Sequence, residues 1–306
     1  MAEEETGLTT AGIIVRQRGI PISQVLIKLA IGTAKALVYL ALIAGGVLTV
    51  FPFLWTISAS FKDTSEMFSY PPSLIPPVFR FSNYADLFFA SERVHFIRWY
   101  SNSGVVTSCS VVLSLFFSSM GGFGFAKYDF RFRGPLFAIL LGSMMVPFHV
   151  VLIPLFVMMI RINWVNTYLA LILPFSAGAF GIFLMRQYMV TIPTELMDAA
   201  RIDGASDFRI YYQIFVPLCR PALATLTILG FMNSWNSFLW PLIILRTPEK
   251  FTLPLGMANL LGTWMGERLW GQVMAGSILS VLPVLILFIL MQKQFIAGMT
   301  LGAVRG

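Results

Sequence analysis

Six stretches without a single Asp, Glu, Lys or Arg set the terms for this sequence: 36–61, 99–126, 134–160, 162–185, 221–245 and 269–292. Each is long enough for the roughly 20-residue helix that crosses a bilayer. Only 11% of the 306 residues are charged and 57% are hydrophobic, whereas soluble domains carry roughly 25% charged residues. The chain is therefore read as an all-α integral membrane protein with six transmembrane helices.

The net charge of +7 is a topology signal before it is a nucleic-acid signal, because Lys and Arg gather on the cytoplasmic side of a membrane. With both termini inside, the cytoplasmic segments hold Arg16, Arg18, Lys28, Lys35, Lys127, Arg131, Arg133, Arg186, Arg201, Arg209, Arg220, Lys293 and Arg305. This arrangement predicts a multi-pass membrane protein with residues 1–35 and 293–306 as cytoplasmic tails. Glu3, Glu4 and Glu5 are unlike the basic start of a cleaved signal peptide, so the first span is expected to stay as an anchor. Cys109 and Cys219 fall on opposite sides of mid-membrane, and no disulfide is expected.

The longest polar interruption of the second half is TELMDAARIDGASDFRIYYQIFVP, residues 194–217. It predicts a cytoplasmic helical hairpin between spans four and five. Thr194 is placed to cap a helix, with Glu195 and Asp198 in its first turn. Leu196, Ala199 and Ala200 fall on one small-residue face, open to close approach by another backbone. Gly204 stands where a helix ends in a left-handed residue, and Ser206 caps a second helix. There Phe208, Tyr211, Tyr212 and Phe215 recur as an aromatic stripe at helical spacing until Pro217.

Elsewhere the signals are weaker. Trp55 and Lys62 mark the exit of the first span. Pro71, Pro72, Pro76 and Pro77 rule out a continuous helix in the following segment, and FRFSNYADLF predicts a short element capped by Ser82 or Asn83. The second span is rich in Ser and Gly, which suits a central, closely packed helix. Pro147 and Pro154 are expected to bend the third span; Pro174 and Gly178 are expected to loosen the fourth. His149, beside the first bend, is read as a helix-packing residue. In the fifth span Asn233, Asn236, Ser237 and Trp240 lie at i, i+3, i+4 and i+7. Polar groups in lipid face protein or a watery path, so these four are either a lining for a polar solute or interhelical hydrogen-bonding groups. In the loop 246–268, Gly262 and Gly266 flank Trp264, which is either an interfacial anchor or an aromatic that reaches a partner.

No GxxxxGK[ST] pattern occurs, so ATP binding through a P-loop is not expected. No His/Cys cluster suggests a metal. The charge-free spans argue against a proton relay or a charged filter and suit a neutral or weakly polar solute.

The hairpin resembles the EAA loop of permease subunits of bacterial and archaeal ABC importers. That pattern is EAA, three residues, Gly, nine residues, Ile, one residue, Leu-Pro. Here Asp198-Ala199-Ala200, Gly204, Ile214 and Val216-Pro217 keep every spacing, with Asp for Glu and Val for Leu. FPFLWTISASFK, the Pro-rich segment before FSNYADLF, NSWNSFLWPL and FIAGMTLGAVRG are similar to the carbohydrate branch, in particular the maltose-type G subunit. The likeness covers nearly the whole chain from about residue 36.

The resemblance implies a six-helix transmembrane domain over 36–292 that carries a sugar or oligosaccharide, and no enzymatic activity of its own. It implies coupling to ATPase subunits through Glu195, Asp198, Ala199, Ala200, Gly204, Ile214 and Pro217, with motion passed through Pro217 to the fifth span. ATP and Mg would sit in the partner subunits, and this chain would bind no cofactor. Implied partners are a second permease, two ATP-binding subunits, an extracytoplasmic solute-binding protein and the bilayer, with no nucleic acid. Asn233, Asn236, Ser237 and Trp240 become candidates for the substrate path, and Gly262, Trp264 and Gly266 for the loop that meets the binding protein. The alternatives are the same importer class with glycerol-phosphate or another polar metabolite as cargo, an autonomous channel or secondary carrier, and a scaffold without transport.

Overall fold

The computed structural model describes residues 22–89, 95–263 and 270–303, with side chains described for 30–89, 95–261 and 270–293. All regular elements among these are helical. The chain divides into two compact units, 1–54 and 55–306. Helix α1 (Ile22–Ser60) begins in the first unit, where every described side chain from Ala30 to Leu54 is exposed.

In the second unit the order is α2 (Ser82–Phe89), α3 (Phe96–Lys127), α4 (Arg133–Ser143), α5 (Phe148–Arg161), α6 (Ala179–Val190), α7 (Glu195–Ile202), α8 (Asp207–Leu218), α9 (Arg220–Trp235), α10 (Leu239–Ile244), α11 (Leu253–Thr263) and α12 (Trp270–Ala303). Among the described residues, four segments are long and apolar enough to cross a membrane: Ala30–Ser60, Phe96–Lys127, Leu169–Val190 and Trp270–Lys293. Two bent pairs, α4 with α5 at 98° and α8 with α9 at 79°, bring the number to six if each pair is one span.

The breaks have local causes. Pro147 takes an extended conformation (φ −62, ψ 136) at the head of α5 and has no N–H to continue α4. The third span therefore breaks there, while Pro154 is accommodated inside α5. Gly178 is likewise extended (ψ 134) before α6, so the fourth span is interrupted where Pro174 and Gly178 suggest. The fifth span, expected to run unbroken from 221 to 245, stops at Trp235; Phe238 (φ −121, ψ −52) separates α9 from α10.

Helix α3 is the centre of the unit, as its small residues suggest. A Cβ on Gly122 would lie 2.6 Å from Met185 Cβ and 2.8 Å from the Arg186 nitrogen. One on Gly181 would lie 2.2 Å from Ser118 Oγ. The backbones of α3 and α6 touch only because these positions lack side chains. Trp235 Nε1 donates to the Ser280 carbonyl at 3.0 Å and ties α9 to α12.

The segment after α1 is more ordered than its prolines suggest. Lys62 is buried; its Nζ donates to the Ser73 carbonyl and lies 4.6 Å above the Trp55 ring. Asn83 is no cap of its own helix. Its amide donates to the carbonyls of Ser60 at 2.8 Å and Lys62 at 2.9 Å, closing the end of α1 instead. The stretch 246–263, expected as a loop, holds a turn at Pro248–Lys250 and all of α11. The final helix runs to Ala303, through the Gly-rich sequence that reads as a tail.

Candidate functional site

The polar stretch 194–217 folds as the expected helix, break and second helix. Helix α7 ends in a Schellman turn: Gly204 has φ +77, its N–H donates to the Arg201 carbonyl at 3.0 Å, and Ala205 N–H reaches the Ala200 carbonyl at 2.9 Å. Nothing lies within 4 Å of where a Gly204 Cβ would stand, so glycine is required there by backbone conformation and not by space. Ser206 caps α8, with Oγ accepting from Arg209 N–H. Thr194 does not cap α7 through its side chain. It is already helical (φ −74, ψ −24), and its Oγ1 accepts from Lys127 Nζ at 3.4 Å.

The faces differ from the periodic reading in two places. Met197 and Ala200 point into the core, while Glu195, Leu196, Asp198, Ala199 and Ile202 are exposed, Ile202 at 87%. Ala199 and Ala200 thus serve opposite sides, and the outward apolar surface is Leu196, Ala199 and Ile202. In α8 the aromatic stripe is divided. Residues Tyr211–Phe215 form a π turn, which adds a residue to the turn and rotates the side chains beyond it. Tyr211 and Phe215 are buried, and Phe208 and Tyr212 are exposed.

Charge at the tip is knitted locally. Arg201 bonds Asp207 at 3.1 Å, stands 3.9 Å from Asp198, and lies 5.7 Å from the centre of the Tyr128 ring. The hydrogen bond that Arg201 donates to Asp207 holds the guanidinium even more firmly protonated. Burial, then the neighbouring Asp207, pushes the Tyr128 phenol above its ordinary value. Arg201 thereby fastens the two helices of the hairpin to each other and to the loop after α3.

The base of the hairpin is held by α3. Ser119 and Tyr211 share a buried hydroxyl contact of 2.7 Å. Phe123 packs at 5.5 Å from the Tyr211 ring and 4.9 Å from the Phe215 ring. Lys127 Nζ donates to the Ile192 carbonyl and lies 5.4 Å from the Phe215 ring. Ile214 is half-buried against the same cluster, and Pro217 is exposed inside α8.

Residues 112–300, from the middle of α3 into α12, match the family described as binding-protein-dependent transport system inner membrane component. The chain belongs to this family of membrane permeases. It is 43% identical over 261 residues to the arabinooligosaccharides transport system permease protein AraQ of Halalkalibacterium halodurans, covering 85% of this chain and 92% of that one. It is 36% identical to the lactose transport system permease protein LacG of Rhizobium radiobacter, over 87% of this chain and 95% of that one. The fold is similar, with a TM-score of 0.75 and 27% identity, to a chain from the crystal structure of a bacterial ABC transporter involved in the import of the acidic polysaccharide alginate. That match covers 87% of this chain and 96% of the other.

In this permease the second candidate group does not form one stripe. Because α9 stops at Trp235, Trp240 lies on α10, is 3% exposed, and donates from Nε1 to the Ala170 carbonyl at 2.8 Å. Phe148 and Phe175 pack edge-on around it. Asn236 returns its amide to the Met232 carbonyl at 2.9 Å. Asn233 and Asn236 remain exposed, and Ser237 is half-buried. Gly262 belongs to α11, while Trp264 and Gly266 lie outside the described residues. Asn166, outside both groups of candidates, takes a left-handed conformation at φ +62. Its Oδ1 accepts from Arg246 N–H at 3.0 Å and Thr247 N–H at 3.3 Å, and its Nδ2 donates to Thr247 Oγ1 at 2.7 Å. An Asn after a tight turn was the available signal.

Proposed function

We propose that this chain is one of two permease subunits of an ATP-driven importer of a sugar or oligosaccharide. The 194–217 hairpin is the contact with a cytoplasmic ATP-hydrolysing subunit. The observation that carries this reading is the outward surface of α7. Leu196, Ala199 and Ile202 stand exposed, with the exposed Glu195 and Asp198 beside them, on a hairpin whose opposite side is fixed in the core. An apolar strip with an acidic margin, rigidly presented, suits seating in a cleft of another protein.

On this reading, ATP and Mg held by two partner ATPase subunits draw them together, and each seated hairpin moves with its subunit. Reversing a population from 1:99 to 99:1 takes roughly 5.5 kcal/mol of differential binding, a demand met by nucleotide closing an interface between the partners. The path then alternates between inward-facing and outward-facing. Cations concentrate at the hairpin and the loop after α3, which supports a cytoplasmic position for this side and for both termini. A solute-binding protein would deliver cargo on the other face. A structural relative at 13% identity, which bears on the fold alone, was crystallised with an alginate pentasaccharide-bound periplasmic protein. Carbohydrate cargo is favoured by the arabinooligosaccharide, lactose and galactooligosaccharide permeases among the relatives.

A second cargo, glycerol phosphate, is supported by the sn-glycerol-3-phosphate permease UgpE of Pectobacterium atrosepticum, 31% identical over 85% of this chain. Purification of the tagged chain in mild detergent tests the reading. A P-loop ATPase and a second permease are expected to co-purify, and uptake assays with arabino-oligosaccharide and glycerol 3-phosphate separate the cargoes. A chain that emerges alone and transports without ATP would refute it.

A further inference from the structure

We propose that α3 transmits the hairpin's movement to the opposite end of the unit, with Tyr211 and Asn102 as its positioning residues. The inference rests on the hairpin being the ATPase contact. Helix α3 meets the hairpin at every fourth residue: Ser119, Phe123 and Lys127. Such spacing keeps the three contacts on one side of the helix. Ser119 Oγ donates to the carbonyls of its own helix, to Leu115 at 2.6 Å and Phe116 at 3.1 Å. Its single proton is thereby committed, so Tyr211 is the donor in the 2.7 Å contact between them. A slip of the hairpin would leave a buried phenol without an acceptor, which is costly in an apolar core. The covalent route is less direct: between α8 and α9 the chain turns by 79° around Cys219. Pro217, expected to carry the motion into the fifth span, lies before that bend.

The other end of α3 is held with equal specificity. Trp99 Nε1 donates to the Pro248 carbonyl at 2.8 Å. Asn102 Nδ2 donates to the carbonyls of Glu249 at 2.8 Å and Phe251 at 2.9 Å. Ser103 Oγ accepts from Leu253 N–H at 2.7 Å. A Cβ on Gly256 would fall 2.1 Å from the Trp99 ring, so α11 rests directly on that indole. One continuous helix thus grips the hairpin at one end and the 248–256 segment at the other, with about 24 Å of rise between Ser103 and Ser119. A displacement imposed at residues 119–127 arrives at 99–103 unless α3 itself bends.

The test uses the purified complex with its ATPase subunits, in a chain carrying Cys109→Ser and Arg246→Cys. Cys109 is exposed and would compete for a thiol reagent; Cys219 is buried. Alkylation of the cysteine at 246 is timed with and without Mg-ATP plus vanadate. Trapping is expected to change the rate by about fivefold. Tyr211→Phe and Asn102→Ala, each at parental complex yield, are expected to return it to within about twofold. Tyr212→Phe, a parallel change on the exposed neighbour, should keep the full response. A response that survives Tyr211→Phe and Asn102→Ala overturns the inference, as does a trapped complex with an unchanged rate. Failure to recover an ATPase or to trap nucleotide overturns the functional reading instead.

Discussion

Two stretches carry the same pattern: Phe208, Tyr211, Tyr212 and Phe215 in the hairpin, and Asn233, Asn236, Ser237 and Trp240 near its downstream span. Both recur at i, i+3, i+4 and i+7, and in both the backbone loses helical register part-way. In α8 a π turn over Tyr211–Phe215 keeps the chain helical, and two of the aromatics face inward and two outward. After Trp235 the helix stops altogether, and Trp240 restarts in another element, buried against Ala170. Periodicity identifies side chains that would share a face; it does not say whether the helix persists long enough to let them. The hairpin lost one turn's register and gained an inner and an outer surface. The other stretch lost the face itself.

Substitutions can break this contrast. The largest effect is expected at Trp240. Trp240→Ala removes a buried indole and its hydrogen bond, a loss of about 3–5 kcal/mol, and thermal unfolding in detergent should show little folded protein. A normally stable Trp240→Ala would return that residue to the substrate path. Next comes the pair Ala200→Leu and Ala199→Leu. The first overfills the core beneath α7 and costs about 1–3 kcal/mol. The second should unfold like the parent yet recover less ATPase on co-purification. Equal behaviour of the two would mean that the outward and inward sides of α7 are wrongly assigned.

Gly204→Leu comes next, at about 1–2 kcal/mol, because only the backbone conformation resists it. Membrane insertion should persist while uptake is lost, and normal uptake would remove the hairpin from coupling. The smallest effect on stability belongs to Asn236→Ala, about 0.5 kcal/mol, since its amide bonds a carbonyl of its own helix. Uptake of the cargo decides whether Asn233 and Asn236 touch solute: a joint Asn233→Ala, Asn236→Ala chain with parental kinetics would exclude both.

Much of the fold was legible because lipid leaves few choices. Charge-free length marked the apolar segments, Gly204 and Ser206 marked the hairpin's inner ends, and Gly and Ser in α3 marked the tightest crossing. The resemblance in the Asp198–Pro217 spacing agreed with the family to which the chain belongs. The features that escaped depend on partners distant in sequence. Lys127 reads as a topology charge, yet it bonds the Ile192 carbonyl. Asn83 reads as a cap, yet it serves carbonyls more than twenty residues upstream. Ala200 reads as surface until Met197 and Ile210 are seen beside it in the core. No local pattern encodes those meetings.

The crossing of α3 and α6 limits how this unit can change shape. Gly122 and Gly181 bring the two helices to backbone contact, with Met185 and Ser118 filling the notch each glycine leaves. Sliding either helix along its axis would carry a side chain into the opposing main chain. Tilting one about the point of contact displaces almost nothing there. The joint behaves like the rivet of a pair of scissors: the blades can open at their tips while the pin stays still.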